Sequence, residues 1–130
     1  MEHFYKFINL DNVKFYSLQK GYGISDLENL PNNIEIVDLG ATFKDFSDTI
    51  AAIENLDLVI TIDTSVVHIA GAAGKKTWLF LPKVADWRWE WEEDFTPWYN
   101  SVEIYRQREE NNWIEVIDRA YNNLINILKN

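Results

Sequence analysis

An α/β fold, with a mostly parallel sheet of about five strands flanked by helices, follows from three observations. Strand-like and helix-like segments alternate along the chain. Two of the strand segments are near-continuous apolar runs, the mark of strands covered on both faces. At 130 residues, 47% of them hydrophobic, the chain has one domain's worth of core material, and residues 1–130 read as a single domain.

The elements follow in order. Val13 to Leu18 is a strand candidate stopped by Lys20-Gly21-Tyr22-Gly23, and Ile34 to Leu39 is a second, stopped by Gly40. Between them Ser25 to Leu30 gives a short helical turn. Ser47 to Leu56 places Ile50, Ala51, Ile53 and Leu56 at helical spacing, with Asp45 or Ser47 available as its cap. Asp57 to Ile62 is a third strand. Val66 to Ala73 is an apolar helix ended by Gly74, and Thr77 to Leu81 is a strand halted by Pro82. Val102 to Tyr105 is a fifth strand. Trp113 to Leu128, with Trp113, Val116, Ile117, Ala120, Leu124, Ile127 and Leu128 at helical spacing, closes the chain as an amphipathic helix.

This order is Rossmann-like, and in such sheets ligands bind where the strands end. Gln19-Lys20-Gly21, Gly40-Ala41-Thr42, Asp63-Thr64-Ser65 and Pro82-Lys83 all fall at that rim. The helix after Asp63 directs its free N–H groups and the positive end of its dipole there. Thr64 and Ser65 add hydroxyls, which suits a phosphate.

Composition narrows the function. Twelve basic against twenty-one acidic residues give a net charge of −9, with no basic cluster, which argues against nucleic acid or an anionic membrane as partner. Without cysteine there is no disulfide framework and no thiolate metal site, which fits the cytoplasm. No apolar run is long enough to span a bilayer.

The stretch Asp57 to Ala72, with Asp63-Thr64-Ser65, His68 and Ala70-Gly71-Ala72, then Gly74-Lys75, Trp87-Arg88-Trp89 and Pro97-Trp98-Tyr99, resembles the C-terminal half of GT-B glycosyltransferases. It is most similar to the heptosyltransferase-like domain, of glycosyltransferase family 9 type, that follows tetratricopeptide repeats in bacterial proteins. The resemblance runs from about Val13 to the end. It implies a half-domain for a nucleoside-diphosphate-sugar donor in hexosyl or heptosyl transfer, with the diphosphate at Thr64-Ser65 and His68 near the phosphate or sugar. Base and ribose would lie near Leu39-Gly40-Ala41. It further implies no bound metal and no other cofactor, and displacement of a nucleoside diphosphate by an acceptor hydroxyl. The family's acceptor domain has no counterpart in the sequence, nor does the first strand of the donor half. His3 to Leu10 matches the end of the helix after that strand. A fragment of a longer protein is therefore expected, inactive in sugar transfer by itself. Loss of a central strand predicts either direct pairing of the strands at Val13–Leu18 and Asp57–Ile62, or a homodimer that covers open edges.

Simpler readings stand beside these. On the residues alone Asp63 and Thr64 are plain helix caps; the resemblance reverses that preference. His68 is either a hydrogen-bonded core histidine or a ligand neighbour. Gln19 and Lys20 suit loop solvation, although their position makes them candidates for the donor. Trp87, Arg88, Trp89 and Trp91 offer stacking surfaces for a base or sugar, with at least two of the four expected in a satellite core. Glu90, Glu92, Glu93 and Asp94 read as a solvated acidic face. A serine hydrolase using Ser65 and His68 lacks the G-x-S-x-G glycines, and the two residues stand only three apart on one helix. A non-catalytic nucleotide- or protein-binding module of the same fold is the remaining alternative.

Overall fold

The computed structural model describes residues 2–90 and 94–130. Trp91, Glu92 and Glu93, named above in the aromatic loop and the acidic face, lie outside the described residues. The chain is α/β, with five parallel strands in a two-stranded and a three-stranded sheet and with helices between them. It divides into two compact units, Met1–Thr49 and Ile50–Asn130.

In the first unit a short helix, α1 (Tyr5–Ile8), precedes strand β1 (Phe15–Ser17), helix α2 (Ser25–Glu28) and strand β2 (Ile36–Asp38). β1 and β2 pair in parallel, with Phe15 opposite Ile36 and Ser17 opposite Asp38. Each strand is half-buried at both ends and exposed in the middle. Both are shorter than the apolar runs that suggested them, because Leu18 and Leu39 already belong to the loops. Helix α3 (Phe46–Glu54) begins in this unit and ends in the next. Asp45 caps it by accepting the Ser47 amide at 2.8 Å, one of the two caps expected.

The second unit holds strand β3 (Val59–Thr61), helix α4 (Ser65–Ala72), strands β4 (Thr77–Leu81) and β5 (Val102–Arg106), and helix α5 (Trp113–Lys129). The sheet order is β3-β4-β5, all parallel. Every residue of β4 is buried, as a continuous apolar run requires of a central strand. Its alternation sends Leu79 and Leu81 to one face, with Val102 and Ile104 of β5, where Val67 of α4 and Trp89 cover them. Trp78 and Phe80 go to the other face against the Tyr105 ring. Arg119 of α5 lies over that ring and Asn123 donates to its hydroxyl, so α5 packs on this side. Burial pushes the Tyr105 phenol up to about 12.

Two turns fix α4 for its role. At its end Gly74 adopts a φ of +67°, the Gly74 amide bonds the Gly71 carbonyl and the Lys75 amide bonds the Ala70 carbonyl, which together make a Schellman stop. The Lys75 ammonium then donates to the Glu54 and Leu56 carbonyls at the end of α3. The Gly74-Lys75 motif thus ties two helix ends together. The outer edge of β5 is covered by the segment before it, through the Ile104 amide to the Asp94 carbonyl at 2.7 Å and a bridge between Phe95 and Glu103. Among the described residues no helix is long and apolar enough to cross a membrane.

Candidate functional site

α4 starts at the carboxyl end of β3. Thr64 is its N-cap: an extended backbone (φ −140°, ψ 176°) turns the side chain back, and Oγ1 accepts the Val66 amide at 3.3 Å. The Thr61 hydroxyl stands 3.4 Å from the same oxygen. The capping reading of Thr64 is therefore realised. Asp63, Thr64 and Ser65 are all exposed at this turn. The N–H groups of the first helical turn that Thr64 leaves unpaired face outward, as at any helix start.

One turn into α4, His68 is neither a buried core residue nor a free one. Its ring stacks on Trp89 with centroids 5.5 Å apart and 24° between planes, and meets Tyr99 edge-on at 5.9 Å. Nδ1 shares a hydrogen bond of 3.0 Å with the Tyr99 hydroxyl, and Nε2 lies 4.0 Å from Asp63 Oδ1. Both nitrogens thus face groups other than Ser65, which leaves no Ser–His couple for a hydrolase. Tyr99 reaches His68 because Gly71 leaves room: a Cβ there would fall 2.4 Å from Tyr99 Cγ.

Trp87, Arg88 and Trp89 form a 3-10 helix over this spot. Asp86 opens it, accepting both the Arg88 amide at 3.0 Å and Arg88 Nε at 2.8 Å. The side-chain bond to Arg88 holds the Asp86 carboxyl below its ordinary range, and the same bond raises the guanidinium. Asp63 adds a weaker pull on Arg88, which places Arg88 within electrostatic reach of the α4 start. The turn ends at Glu90 with a φ of +52°, where Arg106 Nη2 donates to the carbonyls of Trp89 at 2.8 Å and Glu90 at 2.5 Å. Trp98 Nε1 donates to the Arg88 carbonyl at 2.9 Å. The result is a cleft of about 210 Å³ lined by His68, Trp87, Arg88, Trp89, Trp98 and Tyr99. A larger depression of about 370 Å³ lies elsewhere in this unit, between the end of α4 and the start of β5, and includes Gly74 but none of the expected ligand residues.

The first unit brings its own two loops together. Gly40 is buried directly against the loop after β1, where a Cβ would fall 1.9 Å from the Gln19 carbonyl oxygen. The Ala41 amide bonds Asp38 Oδ1 at 3.2 Å. Gln19 turns its amide to the Tyr22 carbonyl, and the Lys20 ammonium donates to the Phe43 carbonyl. Gln19 thus bonds within its own loop, while Lys20 ties that loop to the one after β2.

Of the residues expected at the site, Asp63, His68, Trp87 and Arg88 gather around the cleft, with Thr64 and Ser65 at the adjoining helix start. Trp89 is buried, Trp87 and Arg88 are exposed. Four contributors were not foreseen: Tyr99, Trp98, Asp86 and Arg106. Pro97-Trp98-Tyr99 stood out as a motif, but nothing in its spacing pointed it at His68. Comparison with protein-family profiles, curated proteins and solved structures returns no match, so the glycosyltransferase resemblance rests on the motif residues alone.

Proposed function

We propose that this chain is the donor-binding half of a glycosyltransferase, holding a nucleoside-diphosphate sugar at the turn from β3 into α4. The observation that carries the reading is the exposed Thr64-Ser65 helix start set beside His68 at the mouth of an aromatic cleft. A diphosphate there would accept hydrogen bonds from the first-turn N–H groups and the Ser65 hydroxyl, with the helix dipole favouring its charge. In the reaction an acceptor oxygen bonds the anomeric carbon, the bond to the diphosphate breaks, and the departing charge is stabilised at the helix start. No residue of this chain is assigned as the general base. A cytoplasmic location, argued from the absence of cysteine, belongs to the same proposal.

Calorimetry with UDP, GDP and ADP sugars tests it. Weak binding and no transfer are expected of this chain by itself. Replacing both hydroxyls, Thr64→Ala with Ser65→Ala, is expected to weaken binding by about 1–3 kcal/mol. Unchanged affinity would assign the turn to capping alone.

A second reading, a non-catalytic nucleotide- or protein-binding module, is favoured by one observation. The Asp63 carboxylate is exposed at the same helix start, and Thr64 Oγ1 is already engaged by Val66. Both compete with an incoming anion. Sugar transfer by this chain together with an acceptor-binding domain would exclude that reading.

Self-association is part of the proposal as well. β3 ends its sheet order, and no further strand pairs with it among the described residues. Open apolar edges invite a second chain, and the net charge of −9 is screened beyond about 8–10 Å at physiological salt. Sedimentation at micromolar concentration is expected to show a homodimer; a clean monomer would remove it.

A further inference from the structure

Two tryptophans among the described residues of the second unit are hidden in its core: Trp78 and Trp89 are 0% and 1% exposed. Trp87 and Trp98 depart from that, at 74% and 60%, and both line the cleft over His68. An exposed indole normally keeps its rotamer freedom. Trp98 does not, since its Nε1–H is held by the Arg88 carbonyl, and Arg88 is held in turn by Asp86. An apolar surface that is exposed yet fixed has already met the ordering cost a ligand would otherwise impose.

The cleft's size and charge restrict what fits. At about 210 Å³ it is smaller than the roughly 300–1,000 Å³ of sites for drug-sized ligands, so it admits a single ring. A quaternary ammonium has no lone pair to accept a hydrogen bond, so it would leave the donors of Arg88 and His68 without a partner. The Asp86 carboxylate neutralises Arg88, and Asp63 stands near both Arg88 and His68, so an anionic group finds no surplus positive charge. A neutral ring remains. Its polar partners, His68 Nε2, the Asp63 carboxylate and Arg88, supply both donors and acceptors beside the aromatic walls. A pyranose has that pattern, with C–H faces to lie on indoles and hydroxyls radiating outward.

We propose that this cleft is a carbohydrate site that takes one neutral pyranose ring on Trp87 and Trp98, with hydroxyls directed to Asp63, His68 and Arg88. It shares His68 with the proposed donor site but needs neither a nucleotide nor a phosphate at the helix start.

The test uses the whole chain and the methyl glycosides of glucose, galactose and mannose, read by saturation-transfer NMR and tryptophan fluorescence, with choline and adenosine as competing ring and cation probes. At least one glycoside is expected to bind in the millimolar range with its C–H protons most strongly saturated. Trp98→Ala is expected to weaken that binding by tenfold or more. Trp98→Phe, which keeps an aromatic face without the Nε1–H anchor, should fall between the two, and melting curves confirm that each variant folds. Binding of choline or adenosine with none of the glycosides would overturn the proposal, as would glycoside binding indifferent to Trp98→Ala. Nucleoside diphosphates form a separate arm: their failure to bind would count against the donor site and leave a positive glycoside result standing.

Discussion

The two units use the same ingredients, parallel strands alternating with helices, and bury them to different depths. In the second, β4 has neighbours on both sides and helices on both faces, and all five of its residues are buried. In the first, β1 and β2 pair only with each other among the described residues, and each exposes its middle residue. Among the described residues, Phe7 and Phe43 are the buried hydrophobic side chains of the first unit, whereas the second builds its core from three strands and from α4, α5 and the end of α3. A sheet of three or more strands with a covered apolar face can support itself; two short strands are marginal. Stability should therefore be concentrated in the second unit, together with the cleft.

The largest expected effect would break or sustain that contrast. Trp78 is fully buried at the centre of the larger sheet, and Trp78→Ala should cost about 3–5 kcal/mol. Val37, in the middle of β2, is 40% exposed, and Val37→Ala should stay within about 1 kcal/mol. Urea unfolding of the two variants decides the point. Equal losses would mean that the small sheet contributes as much as the large one.

Two glycines sharpen the comparison at an intermediate scale. Gly40→Ala drives a methyl into the Gln19 carbonyl, a backbone atom that cannot swing aside, so the loops after β1 and β2 must separate. Overpacking of this kind costs about 1–3 kcal/mol or more. Gly71→Ala meets the base of the Tyr99 ring instead, with Cγ at 2.4 Å; turning the ring about its own axis does not move Cγ, so the whole side chain must swing out. Its stability loss should also be about 1–3 kcal/mol, and it should break the bond between the Tyr99 hydroxyl and His68. The His68 ring signals in NMR report this directly. If they do not move in Gly71→Ala, Tyr99 is not what orients the imidazole.

The same contrast explains what could be read from the sequence. β4 is found at Thr77–Leu81, the segment marked by its apolar run and by Pro82, because a strand buried on both faces writes an unbroken apolar pattern. β1 and β2 are trimmed relative to Val13–Leu18 and Ile34–Leu39, since a half-buried strand gives no signal for where its ladder stops. The α4 start was legible from Asp63-Thr64-Ser65 because capping is local chemistry. The Tyr99–His68 bond joins residues 31 apart, and that proximity comes from β5 packing beside β4, a tertiary fact without a local pattern. One trace existed: Gly71 follows His68 by one helical turn, and a glycine inside a helix signals that something must pass close by. Arg106 was hidden for a different reason. It reads as the polar end of a strand, and only the left-handed turn at Glu90 shows why a guanidinium is needed there.

The smallest expected effect compares helix caps. Asp45 opens α3 and Thr64 opens α4, each accepting the amide two residues on, Ser47 at 2.8 Å and Val66 at 3.3 Å. Only the first acceptor titrates. The side-chain hydrogen bond with Ser47, and then the bond from its amide, hold the Asp45 carboxyl below its ordinary 3.8. A depressed carboxyl stabilises the fold above its unfolded value, and that contribution is lost as pH falls through the lower folded value. The α3 cap should therefore weaken under acid while the Thr64 cap holds. Amide NMR between pH 6 and about 2 should show the Ser47 signal moving with a midpoint below 3.8. Asp45→Asn keeps an acceptor without a titrating proton, so it should abolish the Ser47 step and leave the Val66 signal as it was. Persistence of the Ser47 step in Asp45→Asn would assign it to another carboxylate. The nearest candidate is Asp48, whose Oδ2 accepts the Lys44 amide at 2.7 Å across the same turn.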